Sequence, residues 1–356
     1  MNIVIRADAS IQIGSGHIMR CLTLANELKN RGVRVYFICR ELAGHLCDLI
    51  ESQGFKVFRI AYKESFSEMN DAERTYQILT KEMLIIDWLI VDHYQLGERW
   101  ERQFRSVSTK IWVIDDFTDR KHDCDVLLNQ NLVEDKELLY HDLVPTNCRK
   151  LIGPTYTLLR PEFRRERENH FIRNGQVNRI FIFFGSSDPT NETMKTLQAL
   201  KKLYLQNTLI DVVTGEFNQN KELVKQMCAE MEHVAYYCQI DFMAELMNKS
   251  DLAIGSVGTT TWERACLGLP TITIVIAKNQ EEVAKTMAKA GAIHNLGWYE
   301  DVTLDNLCEA VQVMLDDPER VRKMSTLALQ VMNSSSRESI YTFIDEIVGE
   351  NHYVEY

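Results

Sequence analysis

The segment Gly14-Ser-Gly-His-Ile-Met-Arg20 places an imidazole and a guanidinium about one helical turn apart behind a pair of glycines. Such a set can move a proton beside an anionic ligand. His17 is the candidate general base, because an imidazole titrates near neutral pH. Gly14 and Gly16 permit a tight turn that brings the N–H groups of a helix start close to a phosphate. Arg20 either faces a sugar or diphosphate or forms a surface salt bridge. The spacing is not the dinucleotide fingerprint, which needs a third glycine and an acidic residue after the next strand. A phosphate-bearing sugar donor fits better, and the plainer alternative is a turn with His17 as an ordinary helix-cap residue.

Two elements must position this histidine. Asn2-Ile-Val-Ile-Arg-Ala7 reads as a short buried strand, and Ile18, Cys21, Leu22, Ala25 and Leu28 recur at helical spacing. His17 therefore sits at a strand-to-helix junction, on the rim where open parallel sheets collect ligands. Asp8, at the end of the first strand, either orients His17 or caps the turn. Trp88-Leu-Ile-Val-Asp-His-Tyr94 brings Asp92, His93 and Tyr94 to the same rim, and Lys110-Ile-Trp-Val-Ile-Asp-Asp116 repeats the device. Each such residue serves equally well as a ligand contact or a helix cap. Asp123-Cys-Asp125 has the form of an acid-x-acid metal motif, but its setting is that of a solvated turn, and no metal site or cofactor is expected.

The second half carries two comparable turns. Gly185-Ser-Ser-Asp-Pro-Thr-Asn191 follows a strand and opens a helix, so Gly185, Ser186 and Ser187 are candidate phosphate contacts. Asp251–Ser256 reads as a strand, followed by a glycine-and-hydroxyl turn. Gly258, Thr259 and Thr260 suit a diphosphate, and Glu263 either accepts hydrogen bonds from a ribose diol or closes an N-terminal capping box. Thr271–Ile276 then delivers Lys278, Asn279 and Gln280 to the rim.

The 356 residues, 45% of them hydrophobic, suffice for two cores. Strand and helix patterns alternate, stop at a charged run beginning at Arg164, and restart at Asn178. The expected architecture is α/β, with two Rossmann-like parallel-sheet domains. The boundaries read as 1–160, a hinge at 161–176, 177–334, and a C-terminal helix within 335–356 that packs back on the first domain. Forty basic against 51 acidic residues give a formal charge of −11, without a basic stripe, which argues against a nucleic-acid partner. No apolar run approaches the ~20 residues of a membrane span, and no leader pattern opens the chain, so it reads as cytoplasmic. The nine cysteines are scattered, without a Cys-x-x-Cys pair, and read as buried free thiols. Oligomeric state is left open, a monomer included.

In matching order over about 1–300, the chain resembles a known family. Arg6-Ala-Asp-Ala, Gly14-Ser-Gly-His-Ile-Met-Arg-Cys, Asp92-His-Tyr, Asp115-Asp, Gly153-Pro, Leu159-Arg-Pro-Glu-Phe163, Gly258-Thr-Thr-Thr-Trp-Glu and Asn279-Gln-Glu are similar to the UDP-2,4-diacetamido-2,4,6-trideoxy-β-L-altropyranose hydrolases of pseudaminic acid biosynthesis. Spore coat polysaccharide proteins share the pattern. The resemblance implies a GT-B-like fold, a UDP-sugar substrate, UDP held mainly by the second domain, and inverting hydrolysis by a water that His17 activates. It also carries Asn279 over as a substrate contact. The family's Gly-Gly-x-Asp turn stands here as Gly185-Ser-Ser-Asp188, with Ser186 at a glycine position. A nucleotide-sugar-dependent glycosyltransferase of cell-surface or spore coat polysaccharide synthesis is the alternative; the lack of a strong apolar, basic patch in Glu41–Asp48 and Phe66–Arg74 favours water as acceptor.

Overall fold

The structure is a computed structural model, which describes all residues except 62–65, 83–84, 137, 170–172, 333–338 and 351–356. It divides into two compact units, one from Met1–Leu158 with the C-terminal helix Ile340–Glu350, the other within Leu159–Ser334. Part of the expected hinge and the start of the expected C-terminal helix lie outside the described residues.

The first unit is built on seven strands, β1 (Asn2–Ala7), β2 (Arg34–Arg40), β3 (Lys56–Ile60), β4 (Ile86–Asp92), β5 (Ser108–Ile114), β6 (Val126–Asn129) and β7 (Arg149–Ile152), in the order β3-β2-β1-β4-β5-β6-β7. Every pairing is parallel. β1 shows why: alternate side chains point to opposite faces, and both faces are covered. Ile3, Ile5 and Ala7 join one apolar cluster, and Val4 joins the other. The helix Ile340–Glu350 lies on the first of these faces, presenting Ile340, Phe343, Ile344 and Ile347 at helical spacing. Each such burial contributes about 1.5–3 kcal/mol.

The second unit repeats the plan with β8 (Arg179–Phe183), β9 (Leu209–Thr214), β10 (Val234–Cys238), β11 (Leu252–Ser256), β12 (Thr271–Val275) and β13 (His294–Trp298), in the order β10-β9-β8-β11-β12-β13. These are two Rossmann-like sheets. The strands that sequence pattern misses are β7, β10 and β13. β10 and β13 are half-buried edges, and β13, His-Asn-Leu-Gly-Trp, lacks a continuous apolar run. Where the sequence reads as a hinge, the chain forms the helix Pro161–Glu168, which seats Phe163 against Phe181 and Met247 in the second unit's core.

In both sheets the strand order reverses once, between β1 and β4 and between β8 and β11. A ligand collects at the carboxyl ends of such strands because the loops there diverge and leave a crevice.

Candidate functional site

His17 follows β1 and Asp92 ends β4, so the two residues flank the first reversal, and Ala7 is in register with Asp92. The turn between β1 and the helix Gly16–Asn30 needs its first glycine for conformation: Gly14 has φ +82°. Ser10 closes the turn, accepting at its carbonyl from Gly14 N and at its hydroxyl from Ile13 N. Gly16 is the first helical residue; no side chain caps this helix and no acid lies in its first turn.

The chemistry concentrates on the next turn of that helix. Nδ1 of His17 lies 2.6 Å from Asp92 Oδ1. Arg20 grips the same carboxylate with Nε and Nη2, each at 2.6 Å, and extends Nη1 to Asp116 Oδ1 at 2.9 Å. The Tyr94 hydroxyl donates to Asp116 Oδ2 at 2.8 Å, and its ring meets the imidazole edge-on with centroids 4.4 Å apart. Burial opposes ionisation of Asp92, but Arg20 and then His17 outweigh it and hold the carboxyl well below the usual aspartate range. Asp116 is lowered too: burial opposes it and Arg20 prevails. In the tautomer that carries its hydrogen on Nδ1, His17 donates to Asp92, and the Nε2 lone pair is then open to accept a proton.

Thus His17, Arg20, Asp92 and Tyr94 come together. Arg20 forms no surface salt bridge; it is buried and bound by two carboxylates. Asp8 does not orient His17. Its carboxylate accepts from Arg6, from Arg40 N and Nε, and lies 3.2 Å from His93 Nε2, in a separate buried cluster that Arg6 extends to Asp71. The reason is strand geometry: the side chains of Arg6 and Asp8 lie on the face of β1 opposite Ala7, toward β2. Asp116, which the sequence brings to the rim without assigning it a role, joins Arg20 and Tyr94. Its signal is the one that marked Asp92, an acid just past a buried strand.

In the second unit the two turns differ in a way their sequences do not show. Asp188, itself at φ +41°, caps the helix Glu192–Leu203 by accepting from Glu192 N and Thr193 N at 2.9 and 3.0 Å. The chain's own carboxylate thus occupies the helix start expected to meet phosphate. Gly185 takes the left-handed turn at φ +96°, and the Ser186 backbone packs so tightly on Gly215 that a Cβ there would lie 2.4 Å from Ser186 Cα and O. Ser186 has no positive φ, so a serine fits at the family's glycine position.

The helix Thr259–Cys266 begins without a side-chain cap and without an acid in its first turn, and Gly258 before it is exposed. Thr261 N donates to Gly258 O at 2.9 Å, and Thr259 and Thr260 stand at this uncapped start, the kind of helix end that favours an anion. Glu263 falls in the helix's second turn, not its first, so the capping box does not form. It is buried, accepts from Arg160 Nε at 2.8 Å through Oε1, and keeps Oε2 without a partner. Asn279 and Gln280 lie in the short 3-10 turn after β12, where Gln280 Oε1 accepts from Ile276 N and closes the turn. All nine cysteines are free thiols.

Residues 179–341 match the glycosyltransferase family 28 C-terminal domain. Over 292 residues the chain is 30% identical to the UDP-2,4-diacetamido-2,4,6-trideoxy-β-L-altropyranose hydrolase of Campylobacter jejuni, covering 82% of this chain and 97% of that one. It is 24% identical to the spore coat polysaccharide biosynthesis protein SpsG of Bacillus subtilis, covering 86% and 87%. An uncharacterized protein of Methanocaldococcus jannaschii is 29% identical over 79% of this chain, which spans only 57% of that longer relative. Among solved structures, MurG of Acinetobacter baumannii superposes with a TM-score of 0.66 at 14% identity, covering 98% and 99% of the two chains. The spinosyn rhamnosyltransferase SpnG complexed with thymidine diphosphate gives 0.65 at 10%, covering 97% and 99%. These neighbours share the fold, two Rossmann-like domains of the GT-B kind. At the level of sequence, the chain belongs to the family of UDP-2,4-diacetamido-2,4,6-trideoxy-β-L-altropyranose hydrolases.

Proposed function

We propose that this protein hydrolyses a UDP-linked 2,4-diacetamido-2,4,6-trideoxy sugar to UDP and the free sugar, with inversion, as a step of nonulosonic acid synthesis. The observation that carries the reading is the His17–Asp92 pair on the glycine turn, 2.6 Å apart. Asp92 orients the imidazole, Nε2 takes a proton from water, and that water attacks the anomeric carbon as the bond to the diphosphate oxygen breaks. UDP leaves as an anion, so the chain needs only to position water and stabilise charge.

In this reading, Arg20 and Tyr94 shape the sugar side of the site through Asp116, and Asn279 contacts substrate from the turn after β12. The Gly258–Thr260 turn, with Ser186 and Ser187, holds the diphosphate, and the partnerless Oε2 of Glu263 accepts from the ribose. No divalent metal takes part. A glycosyltransferase reading draws on the family 28 match and the transferase neighbours. Purified protein incubated with the UDP-sugar and no added acceptor separates them: stoichiometric UDP release supports hydrolysis, and release that requires a second sugar or lipid acceptor overturns it.

A further inference from the structure

Beneath the Gly258–Thr260 turn lies a guanidinium that the proposed chemistry does not use. Arg264 is 1% exposed, among the largest fully buried side chains. Its Nη2 donates to Ser256 O at 2.6 Å and to Thr261 Oγ1 at 3.2 Å, tying the end of β11 to the first turn of the Thr259–Cys266 helix. Nε and Nη1 are buried without a hydrogen-bond partner. Nη1 fills the space over Gly255, where a Cβ would lie 2.7 Å from it and 2.3 Å from the Phe183 carbonyl oxygen. The guanidinium therefore sits between the ends of β8 and β11, at the second strand-order reversal.

Its charge is poorly met. Neighbouring Glu263 engages Arg160 through Oε1, and burial depresses the Arg264 pKa to about 10, offset only in part by Glu263. Arg173, whose pKa burial lowers to about 10 as well, differs in its hydrogen bonds. It donates to the carbonyls of Met247, Ser250, Leu267 and Gly268, at the C-terminal ends of two helices, where the helix dipole favours a cation. Arg264 instead reaches the start of a helix, the positive end, which has no acid in its first turn. Two positive features at one place are mutually unfavourable until an anion joins them.

We propose that Arg264 is a positioning residue for the anion bound at this turn. It fixes the Ser256–Thr261 backbone and adds a full positive charge from below, so that the site prefers the two-phosphate end of a nucleotide to a single phosphate. The inference rests on the nucleotide reading of the Gly258–Thr260 turn, and it adds both the residue responsible and the basis of the preference.

Calorimetric titration of the full-length wild type, Arg264→Gln and Arg264→Lys with UDP and with UMP tests it, alongside urea unfolding of each protein. Arg264→Gln should lose about tenfold or more in UDP affinity and only about threefold in UMP affinity, because the second phosphate feels the missing charge most. Arg264→Lys should keep the UDP-to-UMP preference. Equal losses for the two ligands, or no loss, overturn the proposal, since a merely structural role moves both together. If Arg264→Gln does not fold, the lysine variant decides: a collapsed preference with the charge retained is fatal. A wild type that binds no UDP defeats the nucleotide reading itself, and this inference with it.

Discussion

Asp92 Oδ1 lies 2.6 Å from His17 Nδ1 and equally close to Arg20 Nη2, so one carboxylate at the end of β4 meets two side chains of the Gly16–Asn30 helix. His17 and Arg20 stand three residues apart, on one face of the helix, and Asp92 meets them because β1 and β4 are direct neighbours. The helix supplies the spacing and the sheet supplies the partner.

Replacing His17 by Ala or Asn is expected to lower turnover about a hundredfold or more while UDP binding persists, the usual scale for loss of a general base. Single-turnover rates at saturating UDP-sugar, paired with calorimetry of UDP, measure the two effects separately. Turnover within a few-fold of wild type would remove His17 from the mechanism.

Asp92→Asn should slow turnover by at least about tenfold, because the amide can present its N–H₂ to His17 and favour the wrong tautomer. It should also destabilise the fold by about 3 kcal/mol, since it leaves the buried Arg20 with less counter-charge. The pH dependence has a definite sign. The folded-state pKa of Asp92 is depressed, so its stabilisation is fully present above the ordinary aspartate pKa of about 3.9 and is lost as pH falls toward the folded value. Urea midpoints of wild type and Asp92→Asn should therefore differ above the ~3.9 reference and converge as the pH falls below it. A gap that widens on acidification would contradict the assignment.

Glu263→Ala should weaken UDP binding by one to two decades, corresponding to about 1.5–3 kcal/mol for a hydrogen bond to a charged group. The chemical step at saturating substrate should change little. Calorimetry with UDP and with 2′,3′-dideoxy-UDP checks the contact: wild type should discriminate between them and the variant should not. Normal UDP binding by Glu263→Ala would leave its buried Oε2 to some other role.

Activity is expected to survive EDTA. The proposed diphosphate site meets negative charge with the uncapped start of the Thr259–Cys266 helix and its threonine hydroxyls. Turnover before and after chelation, with magnesium or manganese added back, measures this, and loss restored by either ion would refute it.

Much of this protein is legible in its sequence because the signals are local. Two α/β halves, the strand and helix on either side of His17, and the glycine turns all follow from hydrophobic periodicity and backbone freedom within a few residues. The rim positions of Asp92, Tyr94 and Glu263 follow as well, since an acid or phenol just past a buried strand, or on the helix after one, must lie near the carboxyl edge. Pairing across the sheet is different. Asp8 and Asp92 look alike as strand-end acids, and the choice between them depends on which face of β1 each neighbour covers, which no local pattern contains.

The same limit separates the two turns of the second unit. Gly185–Asn191 and Val257–Thr261 both read as open helix starts. In the structure Asp188 turns back through a left-handed φ to cap the first, while the second has no side-chain cap and Arg264 reaches back under it. Sequence determined which residue types stand at each loop. Only the tertiary structure decided which charges they meet, because ion pairs and caps are set by distances of a few ångströms between segments that β-sheet order, not chain order, brings together.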